Sequence, residues 1–151
     1  MIQILNAKLV LIHSLDSHKL NMTLMGTFTR QNSRVAEVIG VTRRLRTIGR
    51  WEMDNLLLSA VDETMRQVFK EEGAKVIYEY LENNSHLKRE EIVEKPEVFS
   101  VGLERLLGSG APVIEKLILK NLYSKLELEF REKEGYKFSD YIRELRERCV
   151  C

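Results

Sequence analysis

The residues of this chain able to do chemistry are three histidines, two cysteines and several adjacent carboxylates, and their spacing decides whether they can act together. His13 and His18 are five apart, which does not put two ligands on one helix face. His86 stands in a polar connection, where a lone imidazole is ordinarily solvated. No metal site and no cofactor is expected. Cys149 and Cys151 are too close to staple a fold, and they read as reduced thiols at the end of a cytosolic chain, Cys149 packed inward and Cys151 frayed. The pairs Asp62-Glu63, Glu71-Glu72 and Glu90-Glu91 lie among Lys and Arg. Catalytic carboxylates need burial or a shaped cleft to separate their pKa values, so these pairs are expected on solvated outer helix faces. Gly108-Ser109-Gly110-Ala111 precedes a helix, and helix N-termini can hold anions. It lacks the Lys-Ser/Thr of a phosphate loop and reads as the end of one helix and the cap of the next. No catalytic constellation emerges, and the expectation is a protein that is not an enzyme.

One basic cluster remains. Arg43, Arg44 and Arg46, with Arg50-Trp51, can touch phosphates or stack on bases, and they are the candidate nucleic-acid contacts. They belong to a segment of distinct charge. Residues 1–52 hold eight basic and three acidic residues, a net of +5, whereas the remaining 99 hold 16 basic and 20 acidic residues, a net of −4. Such a change of sign points to two segments with different roles. The first is Arg-rich and acid-poor like a targeting peptide, a reading that Asp16 and Glu37 oppose. The whole chain, at +1, has no overall attraction for nucleic acid or anionic lipid. No apolar run reaches membrane-spanning length, and the cytoplasm is the expected location.

These side chains must be positioned by helices. Residues 1–52 show no sustained period, and a poorly structured extension is expected there, a flexible arm or a misassigned start with Met53 as the alternative. From Met53 the pattern becomes helical. Asp54 is placed to cap a helix bearing Leu56, Leu57, Ala60, Val61, Met65, Val68 and Phe69, and Gly73 is placed to end or bend it. Val76, Ile77, Tyr80 and Leu81 mark a second helix or a continuation. After a charged connection, Pro96 suits the first turn of a helix carrying Val98, Phe99, Leu103, Leu106 and Leu107, which Gly108 stops. Ser109 is placed to cap the longest helix, which runs to Gly135 with Val113, Ile114, Leu117, Ile118, Leu119, Leu122, Tyr123, Leu126 and Phe130 around more than half its circumference. That width predicts a central helix. Ser139 is placed to cap a last helix with Tyr141, Ile142, Leu145 and Cys149 inward. The fold class is all-α: a compact bundle of four to five helices over 53–151.

Several stretches of this body carry a family resemblance. They are Leu56 to Glu63, Ile77-Tyr78 through Leu81-Glu82, Lys88 to Ile92, Glu94-Lys95-Pro96-Glu97 with Phe99, Leu106 to Ala111, and Val113 to Ile118. Together they resemble an archaeal family of uncharacterised small helical domains, the Nitrosopumilus-type output domains. The resemblance covers most of 54–145 and none of 1–52. It implies a small all-helical module, sometimes attached to sensor domains as their output, and carries no catalytic or ligand residue with it. The reading is thus a non-enzymatic helical module that acts through a protein partner or self-association, in signalling. The alternative is a nucleic-acid-associated protein using its basic arm, whose binding would weaken steeply with salt.

Overall fold

A computed structural model gives the structure, and it describes residues 47–149. The described part is all-α. Helix α1 (Arg50–Ser85) is followed by a 3-10 turn (Arg89–Val93), α2 (Pro96–Leu107), a second 3-10 turn (Gly108–Gly110), α3 (Ala111–Lys125) and α4 (Phe138–Arg148).

Helix α1 is the longest, not α3, and it is not straight. Residues sixteen apart would lie about 24 Å apart along a continuous helix, yet the Tyr78 hydroxyl donates to Asp62 Oδ1 at 2.6 Å. The chain folds back at Lys70, whose φ of 64° and ψ of 177° leave the helical region. The sequence placed this bend at Gly73, and Gly73 is what makes it fit: a Cβ there would stand 2.8 Å from the Cβ of Phe69. The first arm buries Met53, Leu57, Ala60, Val61 and Met65, and the second buries Ala74, Ile77 and Leu81. Both spacings keep one helical stripe on the core.

Helix α1 begins at Arg50, before the expected boundary, and Ile48 packs against the core. Asp54 is therefore inside the helix, where it does not cap. It accepts hydrogen bonds from Arg146 of α4 at 3.1 and 2.6 Å. Arg146 also donates to the Val93 carbonyl, which ties α1, α4 and the first 3-10 turn together.

Helix α3 packs against α1, α2 and α4. Its buried side is Ala111, Ile114, Ile118, Leu119, Leu122 and Tyr123, a narrower stripe than expected, because Val113 and Leu117 are exposed. It stops at Lys125 rather than Gly135. Glu127 adopts φ 55°, its N–H bonds to the Ser124 carbonyl, and the Leu128 N–H bonds to the Tyr123 carbonyl at 2.8 Å. That pair of bonds is a Schellman ending with glutamate in the left-handed position. Leu126 is buried beyond the helix end, and Phe130 is half-buried in the connection.

Two expected caps also differ. Ser109 lies in the 3-10 turn and makes no cap hydrogen bond; the Ala111 N–H closes on the Gly108 carbonyl instead. Ser139 is inside α4, because burial of Phe138 pulls the helix start back by two residues, with Lys137 at the cap position. Asp140 reaches back to accept from the Lys137 N–H at 2.9 Å.

Candidate functional site

Helix α2 is short and amphipathic, and its outer side carries Glu97, Val101 and Glu104 at helical spacing. The first turns of α3 set Pro112, Glu115 and Lys116 opposite them. Between these helices and the 126–137 connection lies a cleft of about 480 Å³, closed at one side by Phe130, Tyr136 and Tyr141.

The aromatic wall is built by contacts between the connection and the helices that flank it. Phe130 meets Tyr123 edge to face with ring centroids 5.3 Å apart, and Tyr141 meets Tyr136 at 5.2 Å. The Tyr141 hydroxyl accepts the Lys133 N–H at 2.6 Å, and the Lys133 ammonium sits 4.7 Å from the Tyr136 ring centre. Burial pushes the Tyr123 hydroxyl up to about 12, so it stays a neutral phenol.

The charges of the cleft do not balance. Lys116 pairs with Glu132, and Lys133 pairs with Glu144. Glu97, Glu104 and Glu115 have no ion pair among the described residues, and Lys137 is the lysine left on that rim. Burial pushes the Glu115 carboxyl above its ordinary value; the Ser100 hydroxyl opposes this, and the Glu104 charge adds to it. Large apolar groups stay open to solvent beside these carboxylates: Val101 is 46% and Tyr136 44% exposed. Val113 and Leu117 of α3 are also exposed, but they do not line the cleft.

A second cluster sits at the waist of the α1 hairpin. Arg89 Nε donates to Asp62 Oδ1 at 2.8 Å and to Oδ2 at 3.1 Å, while Arg89 Nη2 donates to Oδ2 and Tyr78 to Oδ1. Burial alone would raise Asp62; the hydrogen bonds from Arg89 and Tyr78 and the arginine charge outweigh it and hold the carboxyl below its usual value. Burial and the same carboxylate push the Tyr78 hydroxyl well up. A bidentate arginine and a phenol on one carboxylate saturate it, so the cluster fastens the two arms to the first 3-10 turn.

The expectation of solvated carboxylate pairs therefore fails at Asp62, which is buried and paired. Glu63 is exposed and bonds Lys125 at 2.7 Å. Glu71 is exposed with Arg66 beside it, and Glu91 accepts from the Lys88 N–H at 3.0 Å. The signal for the cluster was spread over residues 27 apart, too far for any local pattern to join. Of the candidate nucleic-acid contacts, Arg50 opens α1 and lines a cleft with Glu94, Glu97 and Glu147, a mixed rather than basic surface. Arg43, Arg44 and Arg46, with His13, His18 and Cys151, lie outside the described residues. His86 is exposed at the end of α1. Cys149 is buried as expected, with its thiol donating to the Leu145 carbonyl at 3.2 Å. No helix among the described residues is long and apolar enough to cross a membrane. The chain matches no family model, no curated protein and no solved structure.

Proposed function

We propose that residues 47–149 form a helical module that acts by binding a protein partner rather than by turning over a substrate, and that the cleft between α2 and α3 receives that partner. The observation that carries this reading is the juxtaposition of solvent-open Val101 and Tyr136 with the carboxylates of Glu97, Glu104 and Glu115. An apolar floor with a charged rim is the composition of a recognition surface. The acidic excess suits a segment that inserts an apolar side chain flanked by Lys or Arg. The resemblance to helical output domains supports a role in signalling, and of its residues, Glu97, Ala111, Glu115 and Lys116 line this cleft.

The test is quantitative affinity capture from source cells, comparing the wild-type chain with a V101E/Y136A variant. Both substituted side chains are already solvent-exposed, so the helical circular dichroism should be unchanged. Partners that use the cleft should be lost with the variant. An unchanged partner set would sink the assignment of the cleft.

A further inference from the structure

We infer that the α1 hairpin opens at Lys70 and exchanges its first arm with a second copy of the chain, giving a dimer in which α1 runs straight across Lys70. The corner has no loop. Helical residues lie on both sides of one lysine, and that lysine alone absorbs the reversal. Its φ of 64° with ψ of 177° is a region open essentially to glycine, so the folded-back form holds strain at this point. Straightening returns Lys70 to helical angles and removes the strain. A strained hinge too short to relax is the condition that favours exchange between copies.

Among the described residues, the interactions broken on opening can be made again by the partner copy, apart from the Arg66–Glu71 pair that spans the hinge itself. The first arm meets the rest of the body through buried Met53, Leu57, Ala60, Val61 and Met65. Its polar partners include Arg89 and Tyr78 for Asp62, Lys125 and Asn121 for Glu63, and Arg146 for Asp54. All of these join the arm to residues beyond the hinge, so exchange conserves them. The α2–α3 cleft contains no residue of the arm, and an exchanged dimer would present it twice.

Gly73 gives the handle. Alanine there would put a methyl 2.8 Å from Phe69 Cβ in the hairpin. In a straight helix residues four apart stand well clear, and alanine favours the helix. Gly73→Ala should therefore shift the full-length chain towards dimer by ~10-fold or more, and Lys70→Gly, which relieves the corner, should shift it towards monomer. Lys70 is exposed, so Lys70→Val, a branched residue at positive φ, provides a second variant that moves the equilibrium towards dimer without touching the core.

The experiment mixes ¹⁵N-labelled and unlabelled chains, refolds them together, and measures mass by light scattering across a concentration series. A carbodiimide then joins the Glu63–Lys125 ion pair, and mass spectrometry reads the isotopes of the two linked peptides. A dimer fraction holding mixed-isotope Glu63–Lys125 links is the expected result. A dimer holding only same-isotope links would mean surface association and overturn the inference. Monomer at all concentrations for the wild type and Lys70→Val would also overturn it, whether or not Gly73→Ala folds.

Discussion

Asp62 and Glu115 are carboxylates shifted in opposite directions, and each shift fixes the sign of a pH effect. Asp62 is held low by Arg89 and Tyr78 against the pull of burial. Its ionised form is therefore worth more in the folded chain than in the unfolded one. That stability is complete above the unfolded value of about 3.9 and is lost as the pH falls through the lower folded value. Asp62→Asn keeps the shape of the side chain and removes the charge. It should cost about 1.5–3 kcal/mol at pH 7, the usual worth of hydrogen bonds to a charged group, and urea titrations should show the deficit shrinking by pH 3. A deficit independent of pH would show that the carboxylate charge is not what fastens the hairpin. Glu115 is raised, chiefly by burial, with the neighbouring Glu104 charge adding. Its stability is complete while the carboxyl is protonated and is lost as the pH rises through the folded value. Glu115→Gln should thus be more stable than the wild type at pH 7 and equal to it at pH 3. A loss at pH 7 would show that the charge is satisfied within the cleft.

At the scale of elements, the helices were legible where a residue forces the backbone and illegible where tertiary contacts do. Pro96 opens α2 and Gly108, at φ 55°, ends it, both as their chemistry dictates. The other reversals fall on Lys70, His86 and Glu127, all at positive φ, where sequence gives no warning because such residues disfavour it. Packing imposes these angles. Leu81 and Leu87 are buried on either side of His86, and Leu126 is buried just before Glu127. His86→Gly should accordingly stabilise the domain by about 1 kcal/mol, since it removes the left-handed cost from an exposed position. No gain in the denaturation midpoint would mean the imidazole makes a compensating interaction. The same limit explains α3, where a broad apolar stripe suggested burial all round. Ile118 is fully buried, and its replacement by Ala should cost roughly 2–5 kcal/mol. Leu117 is 39% exposed, so Leu117→Ala should stay within about 0.5 kcal/mol of the wild type. Equal losses at the two positions would place Leu117 in the core after all.

At the scale of the whole molecule, the all-α class followed from the spacing of apolar residues, whereas the ties that fix the arrangement are long-range and were not legible. Asp54 and Arg146 are 92 residues apart, and Asp62 and Arg89 are 27 apart. The cleft draws its wall from α2, α3, the following connection and the start of α4, so no single stretch of sequence contains it. Helix α1 begins before the expected boundary for a related reason. Charge and periodicity put that boundary at Met53, but the Met53 N–H already bonds to the Gly49 carbonyl at 3.0 Å, inside the first turn of α1. Met53 is fully buried and Ile48 packs on the same core. A chain beginning at Met53 would lack that turn and the packing of Ile48, and would set a charged amino group beside a buried side chain. Its denaturation midpoint should fall by the equivalent of about 1–3 kcal/mol, the cost of a buried polar group left without its partner. A chain beginning at Thr47 keeps the turn, Ile48 and the whole core described above, and it should unfold in one cooperative transition with its helical signal intact. Chemical denaturation followed by circular dichroism distinguishes the outcomes. Equal midpoints for the two chains would remove Ile48 and the first turn from the cooperative unit. A non-cooperative Thr47 chain would show that the helical body does not fold on its own core.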